Sequence, residues 1–170
     1  MPLKDGRFDG ALYRALNPVY ARDPLSGRGA EQHGGRFNPK GTPALYTALD
    51  PSGALREANQ AGSLQPTVLV SYTAVLEPVF DSRDTDALRQ RGMTPDALAD
   101  PGWRMKMLAG QPGPTQNFAA GLIADGFAGL LIPSYAKGAG PTDFNIVLWN
   151  WTGPAQTLTV VDDENRLGRL

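Results

Sequence analysis

Apolar positions fall in short runs broken by Gly and Pro, a pattern that predicts many brief elements. Residues 11–16 read as a first strand carrying Tyr13 and Arg14. Residues 17–40 are rich in Gly, Pro and charge and are expected to form a long loop, a feature that in compact domains is often functional. Residues 43–48 read as a buried strand. A helix is expected next: Asp50 suits the N-cap, Pro51 the first helical position, and Leu55, Glu57 and Ala58 lie along it until Gly62 can end it. Residues 67–74 and 75–80 are rich in β-branched and aromatic side chains and read as two strands. Residues 84–91, a stretch opened by Thr94-Pro95-Asp96, and residues 115–124 read as helices, the last stopped near Gly126. Residues 128–133 read as a core strand, 137–141 as a Gly-rich loop, and 144–151 and 157–161 as the last strands. Strands arrive in local runs with helices between them, which favours an α+β fold over a doubly wound parallel sheet.

Composition narrows the class. The 170 residues, with no internal repeat, heptad pattern or long linker, suit one domain over 1–170 with one core. Apolar residues make up 41% and charged residues 19%, as in a globular chain rather than a disordered one. No apolar run approaches the roughly 20 residues of a membrane span. The first ten residues carry Lys4, Asp5, Arg7 and Asp9 and no apolar stretch, so a secretory signal is not expected and a cytoplasmic setting is. With 16 basic and 17 acidic residues and no long basic stripe, nucleic acid is not the expected main partner. The chain has no Cys and one His, His33, which excludes thiolate chemistry and a multi-histidine metal centre within one chain.

Four segments offer chemistry: Leu12-Tyr13-Arg14; Gly34-Gly35-Arg36-Phe37-Asn38-Pro39; Leu45-Tyr46-Thr47 with the following Leu55-Arg56-Glu57; and Ile132-Pro133-Ser134. Singly each has an ordinary reading. Arg14 can be a surface residue, Gly34-Gly35 a turn, Tyr46 core packing, Glu57 a solvated helix residue and Ser134 a turn serine. Together they suit a dinucleotide. Guanidinium forks match phosphate oxygens, glycines let backbone N–H groups approach them, and a tyrosine face can stack on a nicotinamide ring. A carboxylate beside the ribose can stabilise the positive charge that develops as nicotinamide leaves. Such a set needs neither metal nor cysteine.

The run from Gly34 through Ala48, preceded by Tyr13-Arg14 and followed by Ala54-Leu55-Arg56-Glu57, Ile132-Pro133-Ser134 and the segment from Asp143 to Leu148, resembles the RES domain family. The resemblance implies a core similar to that of diphtheria-toxin-like ADP-ribosyltransferases, built of short mixed or antiparallel sheets with flanking helices. It implies the toxin of a toxin–antitoxin pair, which consumes NAD⁺ as co-substrate without a metal. Its partner is then a cognate antitoxin of Xre-like or related helical DNA-binding type, which blocks the active-site entrance. By the same resemblance Glu57, Arg36 and Tyr46 are the catalytic set, and Arg14, Arg36, Gly35, Tyr46 and Ser134 bind the dinucleotide. In relatives an aromatic residue can follow the first arginine. Here Ala15 follows Arg14 and Tyr13 precedes it, and strand alternation sends Tyr13 to the other face, so Tyr13 is left outside the expected site.

The expected reaction is transfer of ADP-ribose to an acceptor, with mono-ADP-ribosylation of an intracellular protein preferred. Phosphorolysis or hydrolysis that depletes NAD⁺ is the alternative within the class. A non-catalytic nucleotide-binding module is the alternative outside it. An RNA-cleaving toxin fits less well, because balanced charge and a single His offer little for phosphodiester binding or acid–base work.

Overall fold

The computed structural model describes residues 1–60 and 63–170. A two-residue strand, β1 (Leu3–Lys4), turns back into β2 (Arg7–Leu16), which buries Phe8 and Leu12 completely. β3 (Leu45–Ala48) follows, and helix α2 (Pro51–Ala58) comes directly after it; α1 (Arg28–His33) lies between β2 and β3. β4 (Val68–Leu76) buries Val70, Tyr72, Ala74 and Leu76 at every second position, the period of a strand with one face inward. After β5 (Val79–Asp81) come four helices: α3 (Thr85–Gln90), α4 (Pro95–Ala99), α5 (Trp103–Leu108) and α6 (Pro114–Ala124). The chain then returns as β6 (Gly129–Pro133), β7 (Phe144–Leu148) and β8 (Thr157–Val160).

The strands join in one sheet of order β5-β6-β7-β3-β2-β4-β8, with β1 paired to β2. Among the described residues only β5 and β6 pair in parallel; the other neighbours are antiparallel. Alternation along β6 and β7 feeds two cores. Leu131, Ile146 and Leu148 join Phe8, Leu12, Leu45, Val70 and Tyr72 in one. Leu130, Ile132 and Val147 join Phe80, Leu88, Leu98, Phe118 and Leu122 in the other, under the four-helix run. The α+β class expected from the sequence is the class observed, and among the described residues no helix is long and apolar enough to cross a membrane.

Several boundaries differ from the expected ones. The segment 17–40 is not all loop: a 3₁₀ turn at Pro18–Tyr20 and α1 interrupt it. Residues 67–80 do not divide after Ala74; alternation carries β4 through Leu76, and Glu77-Pro78 makes the break. α2 ends with Asn59 as C-cap, and the expected stop at Gly62 lies outside the described residues. β7 ends at Leu148 rather than running to residue 151. α5 was not foreseen.

Candidate active site

The site begins where two strands part. β2 and β3 are neighbours, yet their ladder consists of one pair, Tyr13 with Ala48. Beyond that rung β2 follows β4, with Arg14 opposite Val70, and β3 follows β7, with Tyr46 opposite Val147. A cleft opens between them. Its smaller lobe, 240 Å³, is walled by Tyr13, Arg14, Tyr46, Ala54, Glu57 and Asn145 among others. A larger lobe, 660 Å³, adds Arg22, Arg28 and His33 from the segment between β2 and β3. Arg14, Ala15 and Tyr46 line both lobes. Each volume is of the scale of small-molecule sites, which run from about 300 to 1,000 Å³, or a part of one.

Glu57 reaches the cleft from α2. The helix starts where its sequence says it should: the Asp50 carboxylate accepts the Gly53 N–H at 2.8 Å, and Pro51 occupies the first turn. Glu57 Oε1 accepts two hydrogen bonds of 2.6 Å, from Ser134 Oγ and from Asn145 Nδ2. Glu57 Oε2 accepts from the Gln60 amide. Three donors on a carboxylate with roughly four lone-pair sites fix its orientation and leave capacity on Oε2. Ser134 directly follows β6 and Asn145 lies on β7 opposite Ile132, so the hairpin presents both donors together. Among the described residues, Asn145 Oδ1 is buried without a donor.

Tyr46 is set with equal care. Its hydroxyl donates to Asn38 Oδ1 at 2.7 Å and accepts the Phe37 N–H at 3.0 Å. Burial of that end pushes the phenol well above its ordinary value, against the pull of the Phe37 N–H and of Arg36. The residue as a whole is 38% exposed and lines both lobes. Asn38 is fully buried and spends its amide on the carbonyls of Ala30 and Thr42. Gly35 bridges to Asn38, donating its N–H to Asn38 O at 2.9 Å. A Cβ on Gly35 would overlap the Tyr46 hydroxyl and sit 2.6 Å from Asn38 Oδ1. Gly34 donates its N–H to Ala30 O. The expected phosphate-facing N–H groups of Gly34 and Gly35 are therefore both spent on protein carbonyls, and Gly35 serves by making room for Tyr46.

The two arginines lie differently. Arg14 lines both lobes, and its guanidinium donates to Pro24 O at 2.9 Å, a carbonyl shared with the Tyr72 hydroxyl. Arg36 does not line either lobe. Its guanidinium lies 4.6 Å from the Tyr135 ring centre and 6.0 Å from that of Trp103, and donates to Leu98 O at 3.3 Å. Burial lowers its pKa, against the opposing pull of Tyr135, Glu57, Tyr46 and Asp100. Burial likewise pushes the Tyr135 hydroxyl up to about 12, against the pull of Arg36.

The structure thus brings Arg14, Tyr46 and Glu57 into one cleft and Ser134 into contact with Glu57, and keeps Arg36 and Gly35 one layer back. Tyr13, left outside the expected site, lines the smaller lobe because the parting strands expose consecutive residues. Two residues of the site were quoted in motifs without a role: Asn38 and Asn145. Their signal was an amide among apolar neighbours, at Phe37-Asn38-Pro39 and Phe144-Asn145-Ile146.

Comparison with known proteins follows the same lines. A family model, the RES domain, matches residues 11–168. A chain of the M. tuberculosis MbcT–MbcA toxin–antitoxin complex is similar in structure, with a TM-score of 0.65 and 24% sequence identity over 92% of this chain and 83% of that one. A search of curated proteins found no match. The fold and its cleft are those of an α+β domain with a carboxylate-centred site. The chain belongs to the RES domain family.

Proposed function

We infer that the cleft binds NAD⁺, breaks its nicotinamide–ribose bond and passes ADP-ribose to an acceptor, and that the protein is the toxin of a toxin–antitoxin pair. One observation carries this reading: Arg14, Tyr46 and Glu57 wall a single lobe, with the Glu57 carboxylate aimed by Ser134, Asn145 and Gln60. Membership of the RES family and the likeness to a chain of a toxin–antitoxin complex support it.

The chemistry follows from the charges. As the bond breaks, nicotinamide departs as a neutral base with the bonding pair, and positive charge spreads over the anomeric carbon and ring oxygen of the ribose. An ionised Glu57 held beside that carbon stabilises the charge. Arg14 takes a diphosphate oxygen, its guanidinium pre-aimed by Pro24 O. The larger lobe supplies Arg22, Arg28 and His33 around the remainder of the dinucleotide. The exposed face of Tyr46 packs on the nicotinamide ring. Arg36, stacked on the Tyr135 ring and bonded to Leu98 O, supports the cleft from behind rather than gripping phosphate. The acceptor then bonds to the anomeric carbon and loses its proton to solvent. A protein side chain is the preferred acceptor. An antitoxin covering the cleft mouth, in the cytoplasm where NAD⁺ is abundant, holds the activity in check.

The test is direct. Purified protein with NAD⁺, with and without phosphate and with and without cell extract, is expected to release nicotinamide. Labelled ADP-ribose on an extract protein identifies a protein acceptor; a rate that requires phosphate assigns that role to phosphate. No nicotinamide under any of these conditions overturns the reading.

A further inference from the structure

Arg56 precedes Glu57 on α2, yet it turns to a different partner. Its Nη2 lies 2.6 Å from Asp143 Oδ2, and both side chains are largely shielded, at 31% and 21% exposure. Asp143 sits in the segment joining β6 to β7. The same Oδ2 accepts the Gly140 N–H at 2.8 Å, and Asp143 O accepts the Ser134 N–H at 2.8 Å. One residue therefore ties down the Gly-rich loop, closes the hairpin at Ser134 and reaches across to α2. Two residues further along the chain is Asn145, the second donor to Glu57.

The covalent arithmetic matters here. Arg56 and Glu57 are adjacent on a rigid helix, and Ser134, Asp143 and Asn145 belong to one hairpin end. The Glu57 hydrogen bonds cross from helix to hairpin, and the Arg56–Asp143 ion pair crosses the same gap beside them. The pair adds a charge–charge contact beside the two 2.6 Å hydrogen bonds of Glu57 and so helps set the separation at which they form. We propose that Arg56 and Asp143 form a latch between α2 and the β6–β7 hairpin, and that they are positioning residues which aim the Glu57 carboxylate through Ser134 and Asn145. The inference rests on the reading of Glu57 as the catalytic carboxylate, and goes beyond it by assigning a role to two residues that do not line the cleft.

Asp143→Asn keeps the size of the side chain and can still accept the Gly140 N–H, so it removes the ion pair alone; Arg56→Gln removes it from the other side. Each is expected to lower kcat for nicotinamide release by about 10–100-fold, the scale of a sub-ångström to 1 Å misplacement of a reacting group. KM should change little, and the melting temperature should stay near that of the wild type. The Arg56→Gln/Asp143→Asn double variant should be no slower than the worse single, as for two residues acting through one contact. Arg89→Ala, which breaks an exposed ion pair with Asp86 elsewhere, should leave kcat unchanged. A second readout is independent of turnover: the side-chain amide resonances of Asn145, identified by their loss in Asn145→Asp, should shift in both single variants. Unchanged kcat, additive losses, or an effect on KM alone overturns the latch, and so does an unmoved Asn145 amide. If the wild type releases no nicotinamide, the NAD⁺ reading fails and the amide resonances alone decide the latch. If either variant does not fold, the same amide is read in Arg56→Lys, whose ammonium cannot reproduce the single Nη2–Oδ2 contact: a shifted resonance supports the latch and an unmoved one overturns it.

Discussion

Glu57 accepts from three side chains, which makes it the most constrained acid in the cleft. Glu57→Gln preserves the shape of the side chain and removes its charge. Nicotinamide release is expected to fall about 10²–10³-fold, equal to roughly 3–4 kcal/mol of lost transition-state stabilisation. NAD⁺ binding by calorimetry should persist. Wild-type turnover in that variant would remove Glu57 from the mechanism. Gly35→Ala places a methyl against the Tyr46 hydroxyl and Asn38. It is expected to cost about 1–3 kcal/mol, as overpacking does, and to displace the Tyr46 ring; urea unfolding and nicotinamide release measure the two effects separately. Tyr46 also gives a pH signature. Its proton is held more tightly in the folded chain than in the unfolded one. The stability this confers is complete below the unfolded value near 10 and drains away as pH rises through the folded value. The urea midpoint of the wild type should therefore fall above about pH 10, and less steeply in Tyr46→Phe. Tyr72 and Tyr135 are raised in the same sense by burial, so the midpoint of that variant still falls.

The Glu57 carboxylate depends on an element whose start is set by one side chain. Asp50→Ala removes the cap on α2 and is expected to cost about 1 kcal/mol. It should also slow turnover, because Glu57 lies in the last turn of that short helix. Thermal melts and kcat measured on one preparation check both. This helix was legible in the sequence for a local reason: Asp50 and Pro51 are adjacent. The same logic revealed α4 behind Thr94 and Pro95. α1 and α5 escaped notice because each is six residues long and begins after a glycine with no capping side chain, so no local residue announces it. The site divides similarly. Glu57, Tyr46 and Ser134 were visible as residue types within motifs. That Asn145 grips Glu57 from 88 positions away depends on how β7 comes to lie beside α2, which no local pattern encodes.

On the scale of the molecule, one core lies beneath the parting of the sheet. Leu12 and Val70 from the β2 side meet Leu45 and Ile146 from the β7 side within it. Leu12→Ala should destabilise the protein by about 2–5 kcal/mol, the range for a buried leucine. It should also loosen the cleft, raising KM for NAD⁺ more than it lowers kcat at a temperature where the variant is still folded. Equal KM in the variant and the wild type would show that the cleft width does not depend on this packing.

The single rung between Tyr13 and Ala48 has a consequence for how such a protein can change. An enzyme that shapes its pocket with loops can vary its substrate by lengthening them. Here the smaller lobe is cut from a seam in the sheet itself, so that aperture is inherited with the hydrogen-bond register. Adding one more rung would zip the seam shut, and losing the last would let the two halves drift apart. Variation in what the cleft admits must therefore come from the rim, where the segment between β2 and β3 walls the larger lobe, while the inner chamber stays as it is.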